Sequence, residues 1–495
     1  MQSFVRLVLL SACALGLLSA QNSPVTWSSI LPGGGYDVAV ATVVDSAGDV
    51  WVAGHSYGKY EAFGPNEPFQ SLNKGASDIF LVKYRPFPDG SARVLFFTWL
   101  GGGGVEELVG MKLDNFGRVV LAGTTASNDW PVAGNAAQNT FGGDIDSFVA
   151  IVDPNAGGAA SLFYSTYFGG TGRETAKVLA VSPTGRIAVG GSTAGEDVPF
   201  VSGGAQPNKR GGIDIFLFTI NDSVGGGFSY ATYLGGAGTD TVTGMLWDAN
   251  NRLWFTGNTG SEDFPVTDNA YNQRSSGFFD AYLVGINPNV SGLAGYEYAT
   301  LLGGQGNDEG RGVAQLADGT FVLTGLTFSQ DFPLYGQFAQ GSLAGACDLF
   351  LTRIDPRLPA ERQVLYSSYY GGTGTDIPYT ISLVGANSVA IAGYSMSGQF
   401  PVSANAVQKT RKSGFSEGLV VVMSLNETGG FDSRYASYFG GTSTDVINSV
   451  AADPVEAGAL IFAGYTTSAD LLTTDGSIRP NPNPAPSAFV TRLLR

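Results

Sequence analysis

The sequence predicts an all-β fold: a seven-bladed β-propeller with four antiparallel strands per blade, its ring closed by the N-terminal strand completing the last blade. Three observations predict it. One phrase recurs seven times at near-constant spacing, each spacing holds four strand signals, and the two ends of the chain complement each other.

The phrase comes first. It reads WSSILPGGGYD (27–37), FTWLGGGGVE (97–106), YSTYFGGTGRE (164–174), YATYLGGAGTD (230–240), YATLLGGQGND (298–308), YSSYYGGTGTD (366–376) and YASYFGGTSTD (435–445). Its Gly-Gly pair starts at Gly101, Gly169, Gly235, Gly303, Gly371 and Gly440, with Pro32 in that slot in the first copy. The spacings are therefore 69, 68, 66, 68, 68 and 69. Glycine permits a sharp exit from the aromatic strand. A second strand signal follows, apolar and ending in a turn, as in KVLAVSPTG (177–185). A third ends in a glycine that recurs as Gly54, Gly123, Gly191, Gly257, Gly325, Gly393 and Gly464. A glycine fixed inside a strand marks a bulge or a close backbone approach. A polar loop leads to a fourth, such as DIFLFTIN (214–221) or DAYLVGIN (280–287). These runs are short, β-branched and aromatic, and are bounded by Gly, Asn, Asp and Pro. No stretch past the leader holds a helical period.

The ends complete the argument. The chain opens on the aromatic strand VTWSSIL (25–31) and closes on the fourth-type strand SAFVTRLL (487–494), with no aromatic strand after it. An N-terminal strand paired there seals the ring and removes two free sheet edges.

The repeat resembles the bacterial SBBP-type β-propeller repeat. YSTYFGG at 164–170, SEDFPV at 261–266, NAVQ at 405–408 and DAYLVGIN at 280–287 carry the resemblance, which spans about residues 25 to 495. The first copy departs from it at HSYGKYEAFGPNEPF (55–69) and the last at SADLLT (468–473). The resemblance implies a secreted or surface propeller and no settled catalytic activity.

Residues 1–20 read as a secretory signal peptide: Arg6, an apolar run over 7–18, then Ser19-Ala20. Residues 21–495 read as a single propeller domain. Leu10-Ser11-Ala12-Cys13 also resembles a lipobox, so lipid anchoring through Cys13 is the alternative to release from a bacterium or display on its surface. No later stretch is long and apolar enough to cross a bilayer as a helix. The net charge of −16 opposes binding to nucleic acid, whose phosphates demand a basic patch. Of the two cysteines, Cys347 remains once the leader is removed, so packing must replace disulfides. The disc is expected to act as a monomer.

Five residues past each Gly-Gly start stands a carboxylate: Asp37, Glu106, Glu174, Asp240, Asp308, Asp376 and Asp445. As a ring on one face these oxygens would form a candidate ligand site, with Ca²⁺ as a possible occupant. The stronger reading is that they accept hydrogen bonds from turn N–H groups, since a residue present in every blade answers a need of every blade. No other cofactor is expected. His55 is the only histidine, so a histidine-ligated metal cluster is excluded, and a catalytic triad would have to use it. With Tyr57 and Tyr60 it lies in the divergent 55–74 loop, the place where one blade differs from the rest. The sequence thus points to a non-catalytic binding or scaffold module for an extracellular protein or glycan. The alternative is a propeller glycoside hydrolase or polysaccharide lyase using carboxylates at the channel mouth.

Overall fold

In this computed structural model the described residues are 24–31, 34–199, 203–220, 226–412, 414–477 and 486–495. The leader, Cys13 and Pro32 lie outside them. The strands form seven sheets of four, each antiparallel throughout. Helix among the described residues is confined to three short 3₁₀ turns.

In six blades the four strands follow in chain order from the inside out. The inner strands are Asp37–Val44, Glu106–Leu113, Glu174–Val181, Asp240–Trp247, Asp308–Gln315 and Asp376–Gly385. The outer strand of each is the aromatic phrase, as in Leu162–Phe168. The seventh blade has the inner strand Asp445–Ala452, then Ala459–Thr466 and Ser487–Leu494, and takes Val25–Ile30 as its outer strand. The register sets Trp27 against Arg492 and Ile30 against Phe489. Backbone bonds from Leu31 to Ala488 and from Leu494 to Pro24 extend the seam.

Packing confirms that the ring is closed. The apolar clusters of the core each join two neighbouring blades, and together they cover all seven interfaces round the disc. At the seam Trp27 is fully buried among Val50, Tyr84, Trp99 and Val490, its ring 5.5 Å from that of Tyr84. Blades are covered on both faces, so their middle strands are apolar along their length. Asp280–Ile286 and Asp348–Ile354 are buried at every residue. At about 1.5–3 kcal/mol per buried apolar side chain, seven such interfaces do what disulfides do in smaller exported domains. Cys347 is buried and unpaired, and burial pushes its thiol pKa up to about 12.

The recurrent glycines have a steric cause. A Cβ on Gly54, Gly257 or Gly464 would stand 1.9 Å from a carbonyl oxygen of the adjacent inner strand. Opposite each glycine that inner strand bulges, between Ala39 and Ala41 in the first blade and between Val242 and Gly244 in the fourth. The bulged residue drops out of the ladder, which frees its side chain from the sheet register.

Candidate functional site

The repeated carboxylates open the inner strands and so encircle one face by position, but they are not open oxygens. Each is at most 2% exposed. In the fifth blade Asp308 accepts the Gly304 N–H at 2.7 Å and the Ser329 hydroxyl at 2.7 Å. Glu106 accepts the Gly102 N–H at 3.0 Å, the Thr125 hydroxyl at 2.7 Å and the Ser127 hydroxyl. Asp37 accepts the Ser56 hydroxyl. The next N–H of the glycine turn goes to the aspartate of the Asp-Phe-Pro loop: Gly103 to Asp129, Ala237 to Asp263, Gln305 to Asp331. The one after reaches a serine, as Gly306 reaches Ser329 at 2.8 Å. Three successive donors of one turn are thus satisfied by three side chains. The first glycine of the pair sits between two carboxylates, since a Cβ on Gly101 would meet both Asp78 and Glu106 within 2.7 Å. The opening phrase of each repeat therefore ties neighbouring strands together. Among the described residues no group of three or more His, Cys, Asp or Glu side chains is placed to hold a metal ion.

Burial raises the pKa of Glu106, Glu174, Asp240, Asp308, Asp376 and Asp445, against the pull of these hydrogen bonds. Asp146, opening the third strand of the second blade, is pushed up to about 6. Acids that hold protons more tightly when folded stabilise fully below their unfolded pKa, about 4, and lose that contribution as pH rises through the folded value. Asp146 is therefore expected to contribute about 1–2 °C to the Tm near pH 5 that is lost by pH 7.5. Calorimetry across that range checks it: Asp146→Asn should narrow the difference, and a Tm that falls on acidification would contradict it.

The feature that breaks the sevenfold repeat is a cavity of about 690 Å³ at the channel mouth. The first blade contributes Tyr36, Val38, Val40, His55 and Tyr57, and the second Glu107 and Val109. The sixth and seventh contribute Tyr379, Asn448 and Tyr465. The cavity is thus off-centre, on one contiguous arc of the disc. Tyr36, Tyr57 and Tyr379 are 45%, 43% and 38% exposed, unlike the buried tyrosines of the outer strands. Tyr36 and Tyr57 meet edge to face at 6.0 Å, and Tyr379 meets Tyr394 likewise at 5.7 Å. Burial, with Tyr379, Tyr36 and Tyr394 around it, raises the Tyr465 phenol to about 12, so it is a neutral hydroxyl at physiological pH.

His55 follows the recurrent Gly54 and lies opposite Val38 in the ladder. Burial lowers its pKa despite the opposing charge of Glu107, so the imidazole is neutral. Its Nδ1 is buried and has no hydrogen-bond partner among the described residues. The divergent 55–74 loop therefore divides: His55 and Tyr57 enter the cavity wall, whereas Tyr60 turns back onto its blade. The Tyr60 ring packs 4.8 Å from Trp99, and its carbonyl accepts the Trp99 indole N–H.

Sequence reasoning missed Tyr36, Glu107, Tyr379, Asn448 and Tyr465. Two of them carried a signal. Three residues past each carboxylate the chain reads Val40, Val109, Lys177, Thr243, Arg311, Tyr379 and Asn448. This is the bulge position, varied in chemistry while its neighbours repeat.

No family model matches the chain, and no curated protein matches its sequence. Solved structures resemble it at low identity. A protein of unknown function from Dyadobacter fermentans is 9% identical with a TM-score of 0.41, over 95% of this chain and 99% of that one. An ulvan lyase of a polysaccharide lyase family, solved with a bound saccharide, is 10% identical with a TM-score of 0.43, over 89% and 92%. The polysaccharide lyase Uly1 is 9% identical with a TM-score of 0.40, over 94% and 91%. What the chain's own topology defines is a closed seven-bladed propeller.

Proposed function

We propose that this chain is an exported, non-catalytic binding propeller whose ligand at the channel mouth is a saccharide. The carrying observation is the off-centre tyrosine cavity, the place where near-identical blades depart from one another. A sugar ring offers apolar C–H faces to aromatic side chains while its hydroxyls need polar partners. Tyr36, Tyr57 and Tyr379 supply the first, and His55, Glu107 and Asn448 the second. The leader expected at residues 1–20 supports a ligand outside the cell.

A glycan array followed by calorimetric titration tests this reading. Tyr57→Ala is expected to weaken binding by at least about tenfold, the loss of one aromatic anchor, without changing the Tm by more than about 1 °C. Binding that survives both Tyr57→Ala and Tyr379→Ala would overturn it.

A polysaccharide-cleaving propeller is favoured by one observation, the neutral imidazole of His55 in the same wall, since a general base needs that state. Release of new chain ends, abolished by His55→Ala, would establish turnover. Binding without such release establishes the module.

A further inference from the structure

The aromatic cavity opens directly onto the central channel, with which it shares Val40, Val109, Tyr379 and Asn448. The channel cavity has a volume of about 320 Å³ and is walled by all seven inner strands. The chain has 26 basic residues against 42 acidic ones, yet this wall carries Lys112, Lys177 and Arg311 and no carboxylate.

On the face where the inner strands end, Lys83 and Arg85 pair with Asp49, Arg118 with Asp114, Arg353 with Asp318 and Arg492 with Asp453. Lys112 and Lys177 have no hydrogen-bond or ion-pair partner among the described residues. Arg311 gives one nitrogen to Glu309 at 2.5 Å, while its Nε is buried and unpartnered. Two carboxylates stand at the rim: Glu309 is satisfied by Arg311, and Glu107 lies beside His55. Neither answers the lysines. Lys112 and Lys177 are both exposed to the channel solvent, and desolvation within the channel lowers the Lys112 pKa with nothing to offset it.

The order along the channel follows from the strands. Each inner strand starts at the mouth and rises about 3.3 Å per residue. Lys177 and Arg311 stand three residues in, level with Val40, Val109, Tyr379 and Asn448, which the channel shares with the aromatic cavity, and Lys112 stands six residues in. With no carboxylate in the channel wall, these cations give the channel a positive field that favours an anion entering it.

We infer that the ligand is an acidic saccharide: its ring lies against the mouth tyrosines and its carboxylate or sulfate group reaches Lys177 and Arg311 in the channel, with Lys112 deeper as a second contact. This rests on the saccharide reading of the mouth and names the class of sugar.

The test is calorimetric titration of three hexasaccharides of matched length, one neutral, one of uronate units and one sulfated, at low and high salt. The wild-type protein should bind an acidic hexasaccharide at least about tenfold more tightly than the neutral one at low salt, and high salt should narrow the gap. The uronate and sulfate arms show which acid group the channel takes. In the Lys112→Met/Lys177→Met variant the gap should close while neutral binding persists, and Lys177→Arg should retain it. Equal affinity for all three sugars, or an acidic preference that survives the double substitution, overturns the inference and leaves the mouth reading standing. If no saccharide binds, the mouth reading fails instead. Titration of inorganic sulfate then judges the channel by itself: heat lost in the double variant supports an anion site, and no heat in the wild type overturns it.

Discussion

A chain cut to begin at Gly34 is expected to lose cooperative unfolding and to aggregate, and a synthetic peptide of residues 24–31 is expected to reverse both. The cut removes the strand Val25–Ile30, the whole outer edge of the seventh blade. It strips the backbone partners from one side of Ser487–Leu494, which stays paired with Ala459–Thr466, and leaves that apolar strand as an open edge, a template for pairing with other chains. It also takes Trp27 out of a fully buried site shared with the first blade. Losing that side chain alone costs about 3–5 kcal/mol, so Trp27→Ala should lower the Tm without opening the edge. Ser28 ties the strand to its surroundings through its hydroxyl to Leu472 at 2.7 Å, and its carbonyl accepts the Thr474 N–H at 3.1 Å. Light scattering and calorimetry on the cut chain, with and without the peptide, measure the effect. A cut chain that unfolds in one transition at the parent Tm would show that the ring does not depend on its seam.

Gly257→Ala is expected to destabilise the protein by upward of about 3 kcal/mol, a large effect for a single methyl group. The added Cβ would lie 1.9 Å from the Thr241 carbonyl oxygen and 2.7 Å from the Tyr282 hydroxyl. The inner strand cannot retreat, because its far side meets the next blade: a Cβ on Gly244 would stand 2.7 Å from the Cα of Gly312. Relief requires undoing the bulge, which would move Thr243 and so disturb the channel wall. Gly398→Ala is the control. Its Cβ meets nothing within 4 Å, and the change should stay within about 0.5 kcal/mol. Denaturant unfolding of both variants measures the contrast, and equal stability for the two would remove the steric account of the recurrent glycine.

Much of this architecture is legible in the sequence. Seven copies of an aromatic Gly-Gly phrase at spacings of 66 to 69 demanded seven equivalent units. A chain that begins with an aromatic strand and ends without one demanded closure at the seam. The recurrent carboxylates were also readable as turn acceptors, and Asp308 and Glu106 show why: a glycine turn exposes N–H groups that a short acid can reach.

The site was far less legible. His55 stood out as the one histidine, and Tyr57 as part of a divergent loop. Tyr379 and Asn448 carried only the fainter signal of a position that varies from one inner strand to the next, three residues past each repeated carboxylate. Tyr60 shared a loop with Tyr57 but packs on Trp99, since a loop that crosses a blade edge sends some side chains inward and some onto the outer strand.

The sequence by itself determined the number of blades, their strand order, the place of closure and the residues that staple each turn, because those needs are local and recur in every unit. Only the tertiary structure decided which residues meet at the mouth. Tyr57 and Tyr379 are 322 positions apart, and ring closure brings the blades that carry them together. It likewise set Lys177 and Arg311, at bulge positions, and Lys112, in the regular ladder, around one channel, because the closed disc makes its axis common to all seven blades.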